Sequence, residues 1–180
     1  MNIACTMAST RGGTDLLLWE VAERMQRAGV NLCGTVQTNT ECGDDKPCDM
    51  DVKILPDGPV VRISQSLGAG SRGCRLDPQA LESAIGISES FLPSADLLIV
   101  NKFGKQEASG RGFRPLIAEA LSREIPVLVG LNSLNKEAFE TFTGGVAELI
   151  EPTPEAVEHW LRGVLPKLAE PTGDARLQSA

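Results

Sequence analysis

The sequence predicts a three-layer α/β domain, a parallel sheet between helices with a β-hairpin inserted into it. Short, continuously apolar runs alternate with stretches whose apolar residues recur at helical spacing, the pattern of βαβ units around strands buried on both faces. Residues 1–37 read as strand, loop, helix and strand, an opening that sets the strands parallel. The segment "DVKILPDGPVVRIS" then places two alternating runs about Pro56-Asp57-Gly58, a hairpin signal. With 180 residues, 42% of them hydrophobic, the chain is long enough for one domain with a real core. That domain is expected over residues 1–170, with 171–180 as a flexible polar tail.

Each element has a local reason. Residues 2–7 are apolar and end in a Ser/Thr/Gly cluster, so the first strand stops there. From Asp15 onward, Leu16, Leu17, Val21, Ala22, Met25 and Ala28 follow helical spacing until Gly29 ends the helix. "VNLCGTVQ", residues 30–37, is the second strand, followed by a polar loop over 38–49 and the hairpin. After "LGAGSRGCRL", Asp77-Pro78 opens a helix with a capping residue and a proline in the first turn. Residues 95–101 form a buried strand, 113–123 a helix, 125–131 another buried strand, 136–142 a short helix and 146–150 a last strand. Thr153-Pro154 starts a final amphipathic helix to about Leu168.

Charge and composition exclude several classes. A net charge of -7 and a pI near 4.8 argue against a nucleic-acid or anionic-membrane binder, both of which need a basic footprint. No apolar run approaches the roughly 18 residues of a membrane span, and the N-terminus lacks a signal-peptide pattern, so a cytoplasmic protein is expected. Cys5, Cys33, Cys42, Cys48 and Cys74 are odd in number and lack zinc or disulfide spacing. Cys5 and Cys33 lie in apolar runs and read as core, and His159 beside Trp160 reads as a half-buried helix residue.

Ligands of parallel α/β sheets bind beyond the carboxyl ends of the strands. There the sequence carries "MASTRGGTDLLLWEVAERM", in the place and context of a phosphate-binding loop. Such a loop, G-x-x-x-x-G-K-[ST], cradles phosphates with backbone N–H groups, neutralises them with lysine and holds magnesium through its hydroxyl. With Gly13 at the second glycine, Ala8 replaces the first, Thr14 the lysine and Asp15 the hydroxyl. The backbone and the helix N-terminus still favour an anion. The plainer alternative is a tight βα turn with Thr14 or Asp15 as helix cap.

The run "DLLIVNKFGKQEASGRGFR", residues 96–114, resembles a Walker B strand, in which an aspartate holds the magnesium shell and a glutamate positions water. Asn101 and Lys102 occupy those places. Lys102, Lys105, Arg111 and Arg114 make this strand end basic, as an anionic ligand would favour; a solvated loop is the alternative. "GAGSRG", residues 68–73, matches G-x-G-x-x-G formally, but no helix opens inside it, so a glycine loop fits better than a dinucleotide fingerprint.

The order of these motifs resembles the cancer-related nucleoside-triphosphatase family, P-loop proteins with a hairpin after the second strand. "VNKFGKQE" falls on that family's segment after the Walker B strand, keeping Gly104 and Glu107 and exchanging its acidic pair for Asn101 and Lys102. More closely, "RGGTDLLLWEVAERMQRAGVNLCGTVQ", "GCRLDPQALE" and "NKFGKQEASGRGF" resemble the bacterial domain of unknown function 2478 family, whose members are often encoded near molybdate-uptake or molybdoenzyme genes. The resemblance implies a three-layer P-loop NTPase-like parallel sheet with an inserted β-hairpin and a rebuilt nucleotide site.

The expected function is therefore anion binding on a degenerate P-loop scaffold, the ligand being a nucleotide or an oxyanion such as molybdate or tungstate. Arg11, Gly12, Gly13 and Thr14 would form the nest, with Asp15 and Asn101 beside it. Lys102, Lys105, Arg111 and Arg114 would supply charge, and Cys74 and Arg75 would close over the ligand. A homo-oligomer or a molybdenum-related protein partner is compatible with this reading. Two alternatives stand beside it. One is a weak nucleoside triphosphatase or phosphotransferase in which Asp15 and Glu107 recover the metal and base roles, and the other a non-catalytic partner of a transporter or molybdoenzyme.

Overall fold

The apolar segments at the centre of the sheet line up in parallel because helices on both sides let them bury both faces. In the computed structural model, which describes residues 1–39, 49–65 and 75–168, the order across the seven-stranded sheet is β4-β3-β2-β5-β6-β1-β7. The strands are β1 (Ile3–Thr6), β2 (Leu32–Asn39), β3 (Met50–Leu55), β4 (Val60–Arg62), β5 (Leu97–Val100), β6 (Val127–Gly130) and β7 (Glu148–Ile150). β2, β5, β6, β1 and β7 are mutually parallel, whereas β3 and β4 run antiparallel as the inserted hairpin.

One face of the sheet is covered by α1 (Gly13–Arg27) and α6 (Pro154–Val164), whose Leu18, Val21, Val157 and Leu161 pack with Ala4, Leu97 and Ile99. The other face carries α2 (Pro78–Glu89), α4 (Arg114–Ser122) and α5 (Lys136–Thr143), which meet Cys5, Val100 and Val129 through Leu81, Ile117 and Phe139. Alternate residues of the buried strands point to opposite layers, so each strand feeds both cores. α2 begins as its sequence requires, with the Asp77 side chain accepting N–H bonds from Gln79 and Ala80 and Pro78 in the first turn.

Several boundaries differ from the sequence expectation. The last helix stops at Val164, not Leu168, because Leu165 precedes a proline and turns extended; a 3-10 turn follows. The stretch between the fifth strand and the next helix contains α3 (Lys105–Ala108), a single turn too short to show periodicity. β7 starts at Glu148, after Gly144 and Gly145 at positive φ. Cys5 and Cys33 are core residues as expected, and burial pushes their thiols up to about 11 and about 12, so both are neutral and unreactive at pH 7. His159 is exposed rather than half-buried, while its neighbour Trp160 is buried. Residues 68–73, Cys42, Cys48, Cys74 and the tail 171–180 lie outside the described residues.

Gly34 in the central strand β2 has φ 105, and a Cβ there would overlap the Ile99 carbonyl oxygen of β5. Gly34→Ala is expected to lower the unfolding free energy by more than about 2 kcal/mol in urea titrations, through left-handed strain and lost strand pairing. Gly86→Ala, in exposed α2 with open space around it, should instead stabilise by about 0.5–1 kcal/mol.

Candidate functional site

The loop between β1 and α1 is a tight turn built on glycine. Gly12 adopts φ 75, and the Gly13 N–H donates to the Thr10 carbonyl at 3.1 Å. The Thr14 hydroxyl accepts the Ala8 N–H at 2.9 Å and ties the two ends of the loop together. Gly12 is the N-cap residue, so neither Thr14 nor Asp15 caps the helix in the expected way; both lie inside its first turn and are buried. Arg11 is exposed at the tip of this loop.

Asp15 is only 4% exposed and therefore needs partners for its charge. They come from the ends of two other strands. Asn101, directly after β5, donates from Nδ2 to Asp15 Oδ1 at 2.9 Å, and Gln37 on β2 donates from Nε2 to Oδ2 at 3.4 Å. The Asn101 orientation is set by its own acceptor, because Oδ1 takes the Gln37 backbone N–H at 2.9 Å and leaves Nδ2 for the carboxylate. Lys102 Nζ stands 3.5 Å from Asp15 Oδ1, with its side chain 41% exposed. On β6, which lies between β5 and β1, Gly130 leaves room for this approach: a Cβ there would overlap the Asn101 carbonyl oxygen. Thr6, the last residue of β1, is fully buried, and among the described residues its Oγ1 has no hydrogen-bond partner.

A phosphate-loop site would hold magnesium through a hydroxyl on the helix and a carboxylate after the Walker B strand. The residues present do not fit that ion. Asp15 already accepts N–H bonds on both oxygens and faces an ammonium, and Asn101 turns its N–H2, not its oxygen, toward the centre. Among the described residues no group of three or more His, Cys, Asp or Glu is placed to hold a metal.

Glu107, which only the hydrolase alternative casts as a base, ties its own loop together. It is 3% exposed and accepts the Gly104 N–H at 2.8 Å and the Phe113 N–H at 3.0 Å, clamping the loop after β5. Burial pushes its carboxyl above the usual carboxylate range, with these backbone N–H groups pulling the other way. Gly112, at φ 59, lies so close to Glu107 Oε1 that a Cβ would overlap it. The carboxylate is thus enclosed by its own loop, with one oxygen on each of two backbone N–H groups.

The cations divide. Lys102 joins the Asp15 cluster, whereas the Arg114 guanidinium stacks over the Phe142 ring at 4.6 Å on the α5 side. Arg75 donates to Asp49 at 3.1 Å beside the hairpin. Lys105 and Arg111 are exposed on the loop that Glu107 organises. The structure therefore brings together Thr14, Asp15, Asn101 and Lys102, and holds Arg75 and Arg114 on other partners. Gln37 also joins this cluster, because β2 lies next to β5, although the sequence alone does not single it out.

Residues 3–160 match the model of the family described as "Protein of unknown function (DUF2478)". The chain belongs to the DUF2478 family. This DUF2478 chain is also similar to the molybdenum import ATP-binding protein ModC 2 of Bradyrhizobium diazoefficiens, 33% identical over 162 residues that cover 89% of the chain and 18% of that protein. It thus spans under a fifth of that relative's length. Among solved structures it resembles THEP1 from the hyperthermophile Aquifex aeolicus, with TM-score 0.63 and 19% identity over 94% of this chain and 100% of that one. A human cancer-related nucleoside triphosphatase gives TM-score 0.59 and 18% identity, covering 91% of this chain and 95% of that one. The fold is that of a P-loop NTPase, a three-layer mostly parallel sheet with an inserted hairpin.

The Glu107 clamp gives a pH-dependent outcome. Its raised carboxyl contributes stability that is fully present below the ordinary carboxylate range and lost as pH rises through its folded value. Glu107→Gln, which presents N–H2 to one of the two backbone donors, should be less stable by about 1–3 kcal/mol in acid. In urea titrations that deficit should narrow as pH is raised from about 4, because only wild type bears the ionisation penalty.

Proposed function

We propose that this chain is a non-hydrolysing anion-binding module on a degenerate P-loop scaffold, serving molybdenum import from the cytoplasmic side. Its ligand is a nucleotide or a tetrahedral oxyanion such as molybdate or tungstate, held at the first turn of α1. The observation that carries the reading is the Asp15–Asn101–Lys102 cluster, which stands where a triphosphatase needs a metal and a base and can serve as neither. The clamped Glu107 removes the remaining acid that could orient water. For binding, what remains is the helix N-terminus with its positive dipole end, the Lys102 ammonium and the exposed Arg11.

The molybdenum assignment draws on the ModC 2 relative, whose printed name joins molybdenum import to ATP binding. The matched stretch is 18% of that protein, so the module works there beside other parts of a longer chain. The same observation favours a second reading, a non-catalytic partner of a transporter with no ligand of its own. No helix among the described residues is long and apolar enough to cross a membrane, in keeping with a role at a transporter rather than as its pore.

A thermal-shift panel of ATP, GTP, phosphate, sulfate, molybdate and tungstate tests these readings, since only a ligand of the native state raises its midpoint. At least one anion should raise the melting midpoint, with less effect in Lys102→Ala, and ATP or GTP should release no phosphate. If no anion shifts the midpoint, the partner reading replaces this one. Magnesium-dependent turnover abolished by Asp15→Asn would establish a hydrolase instead.

A further inference from the structure

The disagreement between the fold's magnesium position and the side chains found there has a specific form. The two side chains that a P-loop site uses around its metal still converge, Asp15 from the first turn of α1 and Asn101 from the end of β5, 2.9 Å apart. The charges differ from those of such a site: the carboxylate is on the helix, the strand end has a neutral amide, and a cation is supplied by the next residue of the chain. We propose that the Lys102 ammonium takes the place of the divalent cation, so that this site binds its anion without a metal. The anion half of that statement rests on the function proposed above, and the cation half stands on the geometry alone.

Three features support it. Asp15 is 4% exposed, and an ionised carboxylate so placed requires a compensating positive charge or a full set of donors; here two carboxamides and one ammonium supply both. An ammonium carries three N–H donors in different directions. With its side chain 41% exposed, Lys102 can face Asp15 on one side and an anion arriving from solvent on the other. Finally, Asn101 cannot turn its oxygen toward a metal without giving up the 2.9 Å bond from the Gln37 N–H. A magnesium ion entering this cluster would have to displace Lys102 and break that bond as well.

Charge bookkeeping distinguishes such a site from a degraded one. Asp15 and Lys102 sum to zero, so the cluster itself does not repel an anion. The helix end and the outer face of the ammonium then decide binding. Adding magnesium should therefore not strengthen nucleotide binding, and by sequestering the phosphates it should weaken it.

The test is a Mn2+ titration followed by electron paramagnetic resonance, with no anion present, on wild type, Lys102→Ala and the Asn101→Asp/Lys102→Ala double variant, each checked for fold by circular dichroism. Wild type should leave the free Mn2+ signal nearly unchanged, and the double variant, with two carboxylates and no ammonium, should bind at least tenfold more tightly. The proposal is overturned if wild type binds Mn2+ as tightly as the double variant, or if the folded double variant binds no better than wild type. Should the double variant fold only with Mn2+, the proposal is supported. Should it not fold at all, Lys102→Ala decides, because tighter Mn2+ binding than wild type supports the proposal and equal binding overturns it. A gain of Mn2+ binding in the variants together with no anion binding by wild type would leave the cation placement standing and defeat the anion-binding reading.

Discussion

A carboxylate buried in the first turn of α1 constrains what the neighbouring strand ends must carry. Asp15 lies at the positive end of a helix dipole, which favours its charge, but the dipole alone does not replace water around two oxygens. Asn101 and Gln37 supply N–H donors and Lys102 supplies the countercharge. These partners come from β2 and from the two residues that follow β5, so the cluster joins the start of α1 to two neighbouring strands at the sheet's carboxyl edge. Removing any one partner leaves the charge buried with less to hold it, and such a loss costs more than the pair adds.

The same edge is held from the other side by Glu107. Its carboxylate gathers the N–H groups at both ends of the loop after β5, and Gly112 makes the close passage possible. Lys102 follows Asn101, which is anchored to Gln37 and Asp15, and precedes the fully buried Phe103. Its backbone is therefore fixed although its side chain reaches solvent. Among the described residues, the flexible stem beyond that backbone is held only by the 3.5 Å approach of its ammonium to Asp15. The βα turn at Gly12 and Gly13 contributes a compact loop whose Gly13 N–H is already used internally.

The architecture was legible because apolar runs and helical spacing report burial directly. "ADLLIVN" and "IPVLVGL" became central parallel strands, and Pro56-Asp57-Gly58 marked the hairpin. The site was legible only in part. Thr14, Asp15, Asn101 and Lys102 could be found by asking where a phosphate loop and its partner strand differ from their chemistry. Gln37 could not be added, because its role depends on β2 lying next to β5, a neighbour relation that periodicity does not contain. The stacking of Arg114 on Phe142 crosses from α4 to α5, and the two backbone donors on Glu107 leave no trace in residue types, so neither contact is visible in the sequence. The helix cap was misplaced for a related reason: Gly12 takes a left-handed conformation, and glycine is favoured there by backbone freedom rather than by a side-chain acceptor.

Whether the Lys102 ammonium replaces the metal of a P-loop site can be seen in a crystal structure grown with both Mn2+ and ATP in excess, with anomalous scattering recorded at the manganese edge. Lys102 Nζ should stand against Asp15, with Asn101 Nδ2 still on the carboxylate and no anomalous peak between them. A manganese peak bonded to Asp15, with Lys102 turned away, would contradict that replacement.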